Sequence, residues 1–169
     1  MKKTTKIFLA LTIISVICIC GWVTVRTVKD VSFNKNCIQY IERAANANTV
    51  ELAKEELKKA ISYAESKNLT KGRVSIFFNQ PKNDIGYWYK NLKTSYEELE
   101  NLPSDASTVE KTNALMNLRE TLTDTTADGT IVTYPDGLSI YPNNKIYFIL
   151  IVVFGIGTIV FGGEFLKRW

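Results

Sequence analysis

The sequence predicts a membrane protein with two transmembrane helices. Between them lies a mainly α-helical extracytoplasmic insert, an up-down bundle of three to four helices with a small β-hairpin before the second span. Three observations carry this fold class. Apolar segments occupy residues 7–25 and 146–166, neither with a charge before Glu164; almost all charged residues lie between or just outside them; and a 3.6-residue apolar period runs through most of the insert.

Each apolar segment matches the roughly 20 residues that an α-helix needs to cross a hydrocarbon core about 30 Å thick. Lys2, Lys3 and Lys6 would also suit the start of a cleaved signal peptide. The apolar run after them exceeds the roughly 7–15 residues of such signals, and no small-x-small cleavage site follows, so 7–25 reads as an uncleaved anchor. Residues 1–6 and 167–169 are then short tails, and 26–145 is the insert.

Because long loops cross largely regardless of charge, orientation follows from the short flanks. Lys2, Lys3 and Lys6 precede the first span and Lys167 and Arg168 follow the second, against Arg26, Lys29 and Lys145 on the other side. Both spans therefore place the termini in the cytoplasm of a plasma (bacterial inner) membrane and the insert in the periplasm or outside. Trp22, Tyr147 and Trp169 are the expected interfacial anchors.

Within the insert, Phe33, Cys37, Ile38, Ile41, Ala44 and Ala45 keep helical spacing over residues 32–46, close behind the first span. Asn48 is placed to cap a second helix with Glu51 three residues on, and Val50, Ala53, Leu57, Ala60, Ile61 and Ala64 form its stripe until Asn68 and Gly72. Residues 73–78 lose the period and read as an extended, packed connection or short strand. A third helix over about 84–102 presents Ile85, Trp88, Leu92, Tyr96 or Ser95, and Leu99, and ends at Pro103. Ser107 and Glu110 form a capping box for a fourth, with Val109, Leu115, Leu118 and Leu122 facing inward. Finally, 131–134 and 138–141 flank Pro135-Asp136-Gly137, which predicts a hairpin over 130–141 resting on the helices or pairing with residues 74–78.

The formal charge of +4 suggests at first a partner bearing phosphates. Residues 30–145, however, hold fourteen Lys and Arg against sixteen Asp and Glu, so the excess lies at the ends. Lys54, Lys58 and Lys59 alternate with Glu51, Glu55 and Glu56 at i,i+4 spacing, the pattern of a solvated helix face, and nucleic acid is excluded as a partner.

The chemistry of the chain is mainly one of exclusions. Without histidine there is no imidazole triad and no commonest metal ligand. Cys18, Cys20 and Cys37 have no zinc-site spacing, and the glycines at 155, 157, 162 and 163 lie in the second apolar segment rather than in a phosphate loop. Glu97, Glu98 and Glu100 read as a solvated helix face, and Asp124 and Asp128 would need further ligands to hold calcium. No catalytic residue, cofactor or metal site is expected.

Four candidates remain. Tyr87, Trp88 and Tyr89 fan around the third helix, so at least one faces outward as a partner or ligand anchor unless all three cover the core. Cys37 stands alone on the oxidising side, suited to an intermolecular disulfide or to burial as a small hydrophobe. Gly155, Thr158 and Gly162, with Gly157 adjacent, offer a small-residue face for helix packing, for example on Ser15 and Cys18. Glu164 lies beside Lys167 and Arg168 as an interfacial ion pair. Asn68-Leu69-Thr70 is also a glycosylation acceptor in a eukaryotic secretory host.

Two spans around an outer helical domain resemble, in architecture alone, the sensor halves of bacterial transmembrane receptors. The expected function is non-enzymatic: a binding, scaffolding or accessory subunit of a membrane complex, in contact with the bilayer and with a membrane-protein partner or a second copy. The alternative is an extracytoplasmic small-molecule sensor that signals laterally to another membrane protein. An enzyme using carboxylates or a serine–lysine pair is the third reading, and it lacks a recognisable nucleophile arrangement.

Overall fold

The computed structural model describes residues 2–77, 80–127 and 129–169 and is mostly helical. The chain divides into two compact units, one formed by the chain up to Asp30 with Pro142–Trp169, the other by Val31–Tyr141.

The first unit is a helix pair. Helix α1 (Lys3–Phe33) supplies its N-terminal part, and α6 (Asn144–Arg168) supplies the rest; each is long and apolar enough to cross a membrane. The two run antiparallel, as the pairing of early with late residues requires. The Thr5 hydroxyl donates to the Arg168 carbonyl (3.5 Å), Gly162 lies against Thr12, Gly157 lies against Ser15, and Trp22 Nε1–H donates to the Tyr147 carbonyl (2.9 Å). Thr5 and Ser15 are buried in this seam, while the large apolar side chains face outward along both helices.

The second unit holds the core. After Phe33 a single π-helical turn (Asn34–Ile38) leads into α2 (Gln39–Ala45), and Phe33, Cys37, Ile38, Ile41 and Ala44 are buried. Helix α3 (Val50–Ser66) packs on α2, and its Val50, Ala53, Leu57, Ala60 and Ala64 are buried in the core. Its N-cap is Thr49, whose side chain accepts from Leu52 N–H, and not Asn48 as the sequence suggested; both are good caps, and the helix starts one residue later. At its other end Asn68 adopts φ +56°. Leu69 N–H bonds the Ala64 carbonyl (2.8 Å), Asn68 N–H bonds the Glu65 carbonyl (3.0 Å), and Leu69 is buried, a Schellman motif with asparagine where glycine is usual.

Helix α4 (Ile85–Glu100) packs on α3 with Ile85, Trp88, Leu92, Ser95 and Leu99 inward. Helix α5 (Thr108–Leu122) opens with the Ser107–Glu110 capping box and touches α4, α2 and α3. Leu118 and Leu122 are buried and Leu115 is partly buried against the core, whereas Val109 is 67% exposed, contrary to the inward face predicted for it. Val109 sits in the first turn, where the cap and not packing fixes the helix.

The β-structure is also not where the turn signal placed it. Strands β1 (Thr123–Thr126) and β2 (Gly129–Val132) pair antiparallel, Thr123 opposite Val132, and Thr133 N–H extends the pairing to the Leu122 carbonyl (2.9 Å). Residues 138–140 form a 3-10 turn after Gly137 (φ +84°) rather than the second strand of a 130–141 hairpin. Two causes are visible: the β-branched Thr run directly after α5 offers 129–132 a nearer partner, and Leu138 and Ile140 reach the core from the turn. The 73–78 connection carries the isolated bridge Arg73–Asp84, and Val74 is buried; Phe78 lies outside the described residues.

Candidate functional site

A cavity of about 540 Å³ lies beside Trp88 in the second unit. Its walls come from three stretches far apart in sequence. One is the 3-10 turn Pro81–Asn83 with the first turns of α4, contributing Asp84, Tyr87, Trp88 and Asn91; the second is the end of α5, with Thr121 and Leu122; the third is Thr133–Asp136 beyond β2.

Each wall is fixed locally. Proline at 81 suits the start of the 3-10 turn, and Asp84 caps α4, its Oδ1 accepting from Tyr87 N–H (3.1 Å). Asp84 and Arg73 also share the isolated bridge, so the cap is anchored to the 73–74 segment; Val74 N–H bonds the Asn83 carbonyl (3.1 Å) and Ile85 N–H bonds the Gly72 carbonyl (3.0 Å). Gly72 has φ +109° beneath the Tyr141 ring, where a Cβ would clash, and the Tyr141 hydroxyl donates to the Lys71 carbonyl (3.3 Å). Tyr134 stacks edge-on against Phe33, ring centres 5.7 Å apart.

The cleft is aromatic and carries charge of both signs. Tyr87 is 66% exposed at its rim and Trp88 is 6% exposed within the wall. The Trp88 Nε1–H is buried and has no hydrogen-bond partner among the described residues. Asp84 and Asp136 face it with Lys82, an excess of one negative charge.

Of the aromatic trio on α4, the structure brings Tyr87 and Trp88 to the cleft and leaves Tyr89 outside it. The Tyr89 hydroxyl donates to Glu65 Oε1 (2.5 Å) on α3; burial, and then this carboxylate, push its pKa up to about 12. Asp84, Asp136 and Tyr134 belong to the site although the sequence marks them only as a helix start, a turn and a strand end.

Cys37 is wholly buried between the π-turn and α3. Its Sγ is 3.9 Å from the Ala60 carbonyl, and burial pushes the thiol up to about 12. A disulfide between two copies would require that core to open, so the placement is that of a buried small hydrophobe. In the helix pair, a Cβ on Gly157 would sit 3.1 Å from Ser15 Oγ and one on Gly162 would sit 3.7 Å from Thr12 Cγ2, whereas nothing lies within 4 Å of a Cβ on Gly155. Thr158 spends its hydroxyl on the Phe154 carbonyl of its own helix (2.9 Å). The close approach is therefore made at Gly157 and Gly162. Glu164 pairs with Lys167 (3.2 Å) and Arg168 (3.0 Å).

Glu56 departs from the solvated face predicted for α3. It is 1% exposed, and its Oε1 accepts from both Arg43 Nη2 and Lys59 Nζ at 3.0 Å. Among the described residues no group of three or more Asp, Glu or Cys is placed to hold a metal; Asp124 Oδ1 accepts from Thr125 N–H (2.8 Å), and Asp128 lies outside the described residues. The chain matches no protein-family model, no curated protein and no solved structure.

Proposed function

We propose that the chain is a non-enzymatic integral membrane protein. In this reading α1 and α6 cross a plasma (bacterial inner) membrane with both termini cytoplasmic. The Val31–Tyr141 unit is an extracytoplasmic up-down bundle that binds a ligand as the binding or accessory subunit of a membrane complex. The observation that carries binding is the aromatic cleft beside Trp88, whose volume lies in the roughly 300–1,000 Å³ range of small-molecule sites. Membrane insertion is supported by the outward-facing apolar side chains of both helices, for example Ile17 at 64% and Ile159 at 76% exposure, a surface suited to lipid and costly in water. Orientation rests on Lys2, Lys3, Lys6, Lys167 and Arg168 at one end of the pair.

The cleft favours one form of this reading, a sensor whose occupancy is passed laterally to a membrane partner. The test uses the full chain in native membranes, solubilised in mild detergent. A partner recovered by the wild type and lost with Tyr87→Ala or Tyr134→Ala ties assembly to the cleft; equal recovery with both variants sinks that link. Cysteine labelling of intact cells at Thr125, but not at Thr4, tests the orientation.

A further inference from the structure

We propose that the cleft beside Trp88 takes a free small organic cation, a substituted ammonium held against the aromatic walls and balanced by Asp84 and Asp136. This rests on the ligand-binding reading above and names its chemistry.

Tyr87, Trp88 and Tyr134 reach one cavity from two separate stretches of chain. Aromatic faces attract a cation lying within about 6 Å of the ring centre, and sets of such rings are a recurrent way to hold alkylated ammonium groups. Tyr134 is steadied for this by its edge contact with Phe33, and Trp88 by its burial. Electrostatics selects among ligands. Two carboxylates against Lys82 disfavour an anion, and a neutral apolar occupant would strip water from both carboxylates without returning a partner. Asp84 Oδ1 is engaged by Tyr87 N–H, which fixes this carboxylate at the start of α4 within the cleft wall.

The experiment places the full chain in phosphatidylglycerol nanodiscs with Trp22→Phe and Trp169→Phe, so that Trp88 is the only fluorophore of its kind, and titrates choline against its uncharged isostere 3,3-dimethylbutan-1-ol. Saturable choline binding at least tenfold tighter than the isostere is expected, and the Asp84→Asn/Asp136→Asn double variant should erase that preference. Asparagine is also a good N-cap, so α4 should keep its start. Equal binding of the two probes would leave the ligand site standing and overturn its cationic specificity. Loss of choline binding in phosphatidylcholine discs would assign the site to a lipid headgroup and overturn the free ligand. Binding of neither probe would overturn both this inference and the ligand-binding reading.

Discussion

Glu56 of α3 and Arg43 of α2 form a 3.0 Å ion pair in which the carboxylate is buried and the guanidinium lies largely in solvent. Lys59 shares the same oxygen, Oε1, while Oε2 is buried with no partner among the described residues. The carboxylate thus loses water on both oxygens and recovers bonds on one, so the pair specifies how α2 meets α3 more than it stabilises the contact. Arg43→Ala should cost only about 1 kcal/mol, because Arg43 is exposed and Lys59 remains. Glu56→Leu should be neutral or stabilising by about 1 kcal/mol, since it removes an incompletely paired buried charge. Denaturant melts of the full chain in detergent measure both, and a loss above about 3 kcal/mol for Glu56→Leu would contradict the argument.

Cys37 gives a pH dependence whose sign is fixed by burial. Its folded-state pKa is raised from 9.0 to about 12, so the native state holds the thiol proton more tightly than the unfolded chain does. The associated stability is complete below pH 9 and is lost as pH rises toward 12, by about 1.4 kcal/mol per pH unit for one proton. Cys37→Ser should flatten that alkaline slope relative to wild type in parallel melts between pH 8 and 11. Identical slopes would mean that the thiol ionises as easily in the folded chain as in the unfolded one.

What the sequence made legible follows from periodicity. Ala53, Leu57, Ala60 and Ala64, and then Ile85, Trp88, Leu92 and Leu99, stand at helical spacing and are buried, and the Ser107–Glu110 box opens α5 where its letters place it. Periodicity failed where another element decides the outcome. Glu56 shares the charged pattern of its neighbours and is buried only because α2 brings Arg43 over it. Residues 129–132 could pair on either side, and the turn letters at Pro135–Gly137 are a stronger local signal than the threonines at 123, 125 and 126, the partner adjacent in chain. The cleft was half legible: an exposed ring among residues 87–89 follows from helix geometry, but the opposite wall at Thr133–Asp136 is more than forty residues away and carries only a turn signal, which says nothing of binding.

Trp88 separates ring from donor. Its indole fills the core beside the cleft while Nε1–H lies buried and unsatisfied among the described residues, at a cost of about 1–3 kcal/mol. Trp88→Phe keeps much of the ring and deletes the orphan donor, so it should change stability by less than about 1 kcal/mol, where Trp88→Ala should cost about 3–5 kcal/mol. Chemical denaturation followed by far-ultraviolet circular dichroism checks the pair. A large loss for phenylalanine would show that the N–H has a partner in solution.

The last prediction distinguishes two glycines two residues apart on α6. A Cβ at 157 would meet Ser15 Oγ at 3.1 Å, tighter than ordinary contact, and Phe161 at 3.6 Å, while one at 155 would meet nothing within 4 Å. Helices in lipid gain no hydrophobic drive toward each other, so close backbone approach is among the few sources of pairing energy, and filling it pushes the pair apart. Gly157→Leu should therefore cost about 1–3 kcal/mol of helix-pair stability and Gly155→Leu about 0.5 kcal/mol or less. Thr12→Cys/Gly162→Cys, built on Cys18→Ser and Cys20→Ser, reports the pair through disulfide yield, because Gly162 faces Thr12 one turn from the site. The yield should fall with leucine at 157 and hold with leucine at 155. Equal yields would show that the seam between α1 and α6 is not set by Gly157.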